Sequence, residues 1–132
     1  KAREYALKIL YAMEVAKEAL DEATDKFWAN QIDKDEVIVE FTTTLTEGVH
    51  SNFVRIDEIL NESAENWKLE RMAVIDRNIL RLACFELLHL EDVPPKVAIN
   101  EAIDIAKKYG NKDSGKFVNG ILDRIKKSMV DK

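Results

Sequence analysis

I-L-R-L-A-C-F-E-L-L from Ile79 to Leu88, V-P-P-K-V-A-I-N-E-A-I-D-I-A-K-K-Y-G from Val93 to Gly110, and K-F-V-N-G-I-L-D-R-I from Lys116 to Ile125 follow one another with short connections. Each repeats its apolar residues at the three- and four-residue spacing of an amphipathic helix. Pro94 and Pro95 stop the first pattern. Pro95 suits the first turn of the next, where its missing N–H is no loss. Ala98, Ile99, Ala102, Ile105, Ala106 and Tyr109 form a stripe that ends at Gly110, a residue suited to the position just past a helix. Asp113 or Ser114 is expected to cap the following helix, whose core face reads Val118, Ile121, Leu122, Ile125 and Met129. The earlier pattern extends back to Leu69 and forward to Glu91, with Met72, Ile75, Ile79, Leu82, Ala83 and Leu90 on one face. Glu86 falls in the middle of that face and needs a partner on a neighbouring helix.

Outward from this core, Ala2–Leu20 places Tyr5, Ile9, Ala12, Met13, Ala16 and Leu20 on one side of a helix. Residues 21–34 lose the pattern and read as a loop or short helical turn. Asp35–Gly48 is a second helix, with Gly48 as a break or kink. Asn52–Asn61 is a third, with Phe53, Ile56, Ile59 and Leu60 inward. The polar stretch Asn61–Lys68 marks a half-way boundary, dividing the chain into residues 1–66 and 67–132 within one compact unit. No segment alternates like a strand, so the expected class is all-α.

Composition narrows the function. The 132 residues carry 46% apolar residues and a formal net charge of −5, which argues against nucleic-acid binding by bulk charge. The basic charge is local: residues 107–132 hold eight Lys/Arg against three Asp/Glu. No apolar run reaches membrane-span length and no signal-peptide pattern opens the chain, so a cytoplasmic protein is expected. Cys84 is the single cysteine. It has no His, Lys or helix start beside it and reads as inert. His50 and His89 lack ligand spacing, so no metal or cofactor is expected. G-N-K-D-S-G-K-F at Gly110–Phe117 nearly spells a phosphate-binding loop. A helix precedes it, however, and Phe117 stands where a hydroxyl is required. Its glycines fit a helix stop and a close helix contact better. No nucleophile has a base and an orienting group, so no catalytic residue is assigned.

Phe117 lies at the edge of its core stripe, beside Lys112, Asp113, Lys116 and Gly120. An edge aromatic flanked by lysines can stack a single-stranded base while the ammonium groups hold phosphates. Tyr11, with Lys1 and Arg3 two turns before it, has the same character. Packing of both rings at helix junctions is the competing reading.

At these residues the chain resembles the NusB family of bacterial transcription antitermination factors. The resemblance is carried by A-R-E-Y-A-L-K-I-L-Y at Ala2–Tyr11, R-N-I-L-R-L-A-C-F-E-L at Arg77–Leu87, V-P-P-K-V-A-I-N-E-A-I at Val93–Ile103 and D-S-G-K-F-V-N-G-I-L-D at Asp113–Asp123. It implies two packed three-helix bundles and a non-enzymatic role. The implied partners are boxA leader RNA of ribosomal RNA operons and the ribosomal protein NusE, with the RNA polymerase elongation complex reached indirectly. Residue by residue, the resemblance implies RNA contacts at Lys1, Arg3, Tyr11, Asp113, Lys116 and Phe117, with Lys112 added by its position beside them. Lys1 and Arg3 are what remains of an Arg-rich helix start, whose other residues are expected upstream. Contacts to NusE are implied at Asp76, which replaces a longer Glu, and at Arg77 and Leu80. Some family members self-associate through the partner surface, so monomer and homodimer both stay open. A similar helical domain precedes the catalytic domain of RNA cytosine methyltransferases. That alternative needs a C-terminal extension with a cofactor-binding sheet, and the sequence stops at Lys132, so a free-standing factor is expected.

Overall fold

The computed structural model describes residues 1–65 and 67–131; Asn66, at the expected half-way boundary, and Lys132 lie outside them. Among the described residues there are seven α-helices and no strands: α1 (Ala2–Val15), α2 (Leu20–Ala29), α3 (Glu36–Ser51), α4 (Phe53–Ser63), α5 (Val74–His89), α6 (Pro95–Tyr109) and α7 (Ser114–Ile125). A 3₁₀ turn at Leu69–Arg71 leads into α5, and a π-helical turn at Lys126–Val130 follows α7. The all-α class expected from the sequence is the class observed.

The stretch expected to be largely irregular contains α2. Its aromatic residues are grouped: Trp28 packs edge-on against Phe27 and against Tyr5 of α1, and Phe27 lies tilted against Tyr5, with ring centroids 5.0 to 5.7 Å apart. Tertiary contact with α1 thus supports a helix whose own pattern is weak. Helix α1 stops at Val15, short of the expected Leu20, and Lys17 takes a left-handed φ of 59° just after it. The buried side of α1 is Ala2, Ala6, Leu7, Ile9 and Leu10, so of the expected stripe only Ile9 is fully buried. The helix packs against α2, α3 and α5 together, which rotates and widens its covered arc.

Helix α3 begins where Asp35 accepts a hydrogen bond from the Val37 N–H at 2.9 Å. It runs straight through Gly48. That glycine is required for space, because a Cβ there would lie 2.1 Å from the Phe85 ring. In α4, Ile56, Ile59 and Leu60 point inward as expected, but Phe53 is 43% exposed. Its ring lies 4.5 Å under the Arg81 guanidinium.

Helix α5 is the centre of the molecule. It touches α1, α3, α4, α6 and α7 and is buried on all sides from Asn78 to Glu86. One apolar cluster joins residues of α1, α3 and α4 to those of α5, α6 and α7. By packing, α4 lies mainly against α5 and α7 rather than against α1 and α2. Cys84 is fully buried and burial pushes its thiol up to about 12, so the expected inertness has a physical cause.

Helix α6 starts with Pro95 in its first turn. Gly110 ends it with φ −91° and ψ −164°, so the glycine serves close packing there; a Cβ would lie 2.3 Å from Ser114 Oγ. Neither expected cap holds α7 with its side chain. Asn111 does this work instead, its Oδ1 accepting from the Asp113 N–H at 2.9 Å while its own N–H donates to Ser114 Oγ at 3.0 Å. At Gly115 a Cβ would come within 3.2 Å of Lys107, the expected close helix contact. Met129, expected in the core, is 38% exposed because the π-helical turn carries it off the buried stripe.

Candidate nucleic-acid interface

Where Leu69–Arg71, the start of α5 and the α6–α7 turn converge, an open cleft of about 330 Å³ is lined by Trp67, Arg71, Met72, Asp76, Asn111, Asp113 and Phe117, among others. Phe117 is half-buried at the edge of the core, and Trp67 is 54% exposed. The two rings meet edge to face, centroids 6.3 Å apart. Both therefore keep aromatic surface facing the cleft region instead of stacking on each other. Lys112, Asp113 and Lys116 are exposed on the turn and first turns of α7, and Arg71 is exposed on the opposite wall. Among the described residues none of these four side chains is held in an ion pair. Gly120 is exposed one turn beyond Phe117, with open space where a Cβ would stand.

The structure thus brings Asp113 and Phe117 together, with Lys112 and Lys116 beside them in the chain. It adds two residues that the sequence reading passed over: Trp67, in a stretch read only as a boundary, and Arg71, in a turn read as helix. A Trp amid polar residues was the available signal for the first. Tyr11 is 40% exposed on α1, as its position off the apolar face implies, but it does not line this cleft.

Arg3 requires a correction. It is turned inward, and its Nη2 and Nε bond the Glu86 carboxylate at 2.7 and 3.0 Å, with Glu101 at 3.3 Å and the Phe41 ring 5.3 Å away. It is the counter-ion that Glu86 needs, not a free cation for phosphate. Burial raises the Glu86 carboxyl above its ordinary range, and Arg3 offsets part of that shift. Lys1 is exposed at the start of α1 and shares a small cleft with Arg3, Glu101 and Lys108.

The residues expected at a protein partner fare unevenly. Leu80 is fully buried in the core and can touch no partner. Arg77 is held inside the molecule: its guanidinium pairs with Glu14 and donates to the Met72 carbonyl at 2.9 Å. Burial and the neighbouring Arg81 lower its pKa. Arg81 completes this clamp, reaching Asp57 of α4 at 2.9 Å and Glu14 of α1 at 2.8 Å. One α5 face is thereby fastened to α1 and α4. Asp76 is only 7% exposed and sits in the wall of the aromatic cleft, not on an open face. Its Oδ1 is buried without a hydrogen-bond partner among the described residues.

A second, larger depression of about 820 Å³ lies between α4 and α5, with Glu14, Asp57, Glu65 and Glu70 in its lining and Arg77 and Arg81 among them. It shares Trp67 with the aromatic cleft. No helix among the described residues is long and apolar enough to cross a membrane.

The arrangement offers stacking surface and a cation beside a recessed acceptor, and among the described residues no cluster of His, Cys, Asp and Glu could hold a metal ion. The transcription antitermination protein NusB of Anaeromyxobacter dehalogenans is 46% identical over 125 residues, covering 95% of this chain and 87% of that protein. NusB of Desulfitobacterium hafniense is 45% identical over 132 residues, covering 99% and 89%. The solved structure of T. maritima NusB superposes with a TM-score of 0.89 at 41% identity, covering 96% of this chain and 89% of that one. A structure of antitermination factors NusB and NusE in complex with double-stranded RNA matches with a TM-score of 0.88 at 28% identity, covering 96% and 94%. The NusB family model matches residues 1–127, and the chain belongs to the NusB family.

Proposed function

We propose that this chain is an RNA-binding antitermination factor that reads the boxA element of ribosomal RNA leader transcripts jointly with NusE, and so supports processive transcription by RNA polymerase in the cytoplasm. The observation that carries the reading is the cleft where Trp67 and Phe117 meet, with Arg71 in its lining and the exposed Lys112 and Lys116 adjacent in the chain to its lining residues, none of the three in an ion pair among the described residues. Aromatic faces with local cations suit single-stranded RNA, whose unstacked bases find surface there while its phosphates meet the lysines. The related structure of NusB with NusE and RNA lends support.

A net charge of −5 makes lone binding weak and salt-sensitive. A basic partner would extend the positive surface. In the depression between α4 and α5, Glu14 and Asp57 are taken up by Arg77 and Arg81, which leaves Glu65 and Glu70 as the carboxylates it offers to such a protein. Titration of boxA RNA with and without NusE, across a salt series, tests the reading. The expected result is modest affinity alone and a marked gain with NusE. Equal and negligible binding in both arms rejects it. Asp113→Asn is expected to tighten RNA, because an exposed carboxylate beside Phe117 repels phosphate; an affinity unchanged at every salt concentration removes that repulsion.

A further inference from the structure

Asp76 is the one group in the cleft that the fold leaves unfinished. It is more than nine-tenths buried, and its Oδ1 is shielded from water and has no hydrogen-bond donor among the described residues. Such a group costs free energy unless something supplies the missing bond. The start of α5 favours negative charge at this position, but the residue makes no hydrogen bond to it. The surrounding lining combines the aromatic Trp67 and Phe117 with the polar Asn111 and Arg71. The side-chain amide of Asn111 uses only its oxygen internally, leaving its N–H groups as donors. The volume of about 330 Å³ is in the range of cavities that hold small planar ligands.

We infer that the cleft is a base-reading pocket, in which Asp76 accepts a hydrogen bond from the exocyclic amino group of a cytosine or adenine, and that it discriminates against uracil. This rests on the RNA-binding reading above and adds the chemistry of recognition. A carboxylate accepts from an amino-bearing base edge. Uracil presents carbonyl oxygens at the corresponding position, and two acceptors facing each other repel. A phosphate is excluded by its charge. A base fits because it is flat enough to lie against Phe117 or Trp67, and its amino group meets the carboxylate once the Asp76 side chain turns toward the cleft it lines. The amide of Asn111 and the guanidinium of Arg71 can donate to the base's ring nitrogen or carbonyl. The guanidinium of a protein partner is the other donor compatible with an aromatic wall, and the experiment separates it.

The test uses fluorescence anisotropy with labelled oligocytidylate, oligoadenylate and oligouridylate of equal length, on the protein alone and with NusE. The wild-type protein is expected to bind the amino-bearing oligomers about tenfold tighter than oligouridylate. Asp76→Asn, which keeps shape and adds a donor, is expected to bring that ratio close to one while melting at or above the wild-type temperature. Asp76→Glu retains the acceptor and serves as the second variant, expected to keep the preference. Trp67→Ala is expected to weaken all three probes together. Equal affinities in the wild type overturn the inference and leave the RNA reading standing. A ratio unchanged in Asp76→Asn, with NusE affinity altered instead, assigns the carboxylate to the protein partner and also overturns it. Failure of all three probes to bind, with or without NusE, overturns both readings.

Discussion

Phe117 shows how a single side chain can serve both core and surface. Half-buried against the core and edge-on to Trp67, it leaves part of its ring available. Phe117→Ala is expected to weaken boxA binding at least tenfold, with a loss of stability below the 3–5 kcal/mol of a fully buried Phe, at about 1–2 kcal/mol. A denaturant melt beside an RNA titration separates the two effects; collapse of the fold would place the ring in the core. Leu80 marks the opposite limit. Leu80→Ala is expected to cost about 2–5 kcal/mol by leaving a cavity. Its effect on NusE affinity should then vanish once binding is corrected for the folded fraction. Gly120 differs from Gly48 in the same way. Alanine at Gly48 must push into the Phe85 ring and destabilise by about 1–3 kcal/mol. Alanine at Gly120 meets open space and should stabilise by about 0.5–1 kcal/mol. Chemical denaturation reads both signs. The sequence marked Phe117 and Gly120 as unusual because each departs from its helix's apolar stripe. It could not mark Leu80 as unreachable, since a stripe shows one buried face and α5 is buried on every face.

At the scale of elements, helices are fastened by charged pairs as well as by apolar contact. Arg3–Glu86 ties α1 to α5, and the Glu14–Arg77–Arg81–Asp57 group ties α1, α5 and α4. Removing one member of a buried pair leaves the other uncompensated. Arg81→Ala is accordingly expected to cost about 3–5 kcal/mol, far more than an exposed ion pair would. A loss under 1 kcal/mol in urea melts would show that the clamp is incidental. Helix α6 meets α1 differently. Glu4 accepts from Lys108 at 2.8 Å and from the Tyr109 hydroxyl at 2.5 Å. The Lys108 bond, then the Tyr109 bond, hold its carboxyl below the ordinary 4.5. A depressed carboxyl stabilises the fold above its unfolded-state pKa and loses that contribution as pH falls through its folded-state value. Glu4→Gln should therefore be less stable than wild type at neutral pH, with the gap narrowing on the acid side of 4.5. A gap that persists undiminished in strong acid excludes Glu4 as its source. Glu86 was legible as a carboxylate in need of a partner, because it interrupts an apolar stripe. Its partner was not legible, because Arg3 is 83 residues away and local spacing contains no such distance.

For the whole molecule, the acidic net charge and the local basic turn define two surfaces that meet at Trp67. The depression that offers Glu65 and Glu70 to a basic protein adjoins the aromatic cleft proposed for RNA. Partner and RNA would then bind side by side, and the slope of affinity against salt should steepen when NusE joins, because more phosphates are neutralised. An unchanged slope would mean that NusE adds no phosphate contacts. The chain's own residues were sufficient to determine that the protein is all-α, where α5, α6 and α7 broadly run, and that Glu86 needs a partner. All of these follow from periodicity, caps and local chemistry, which act over a few residues. Tertiary structure alone decided the rest. It made a helix of Leu20–Ala29, turned Arg3 inward to Glu86, closed Leu80 into the core, and set Asp76 beside Trp67 and Phe117. Each of these depends on surfaces brought together from distant parts of the chain, and burial belongs to the packed assembly of helices, not to any one of them.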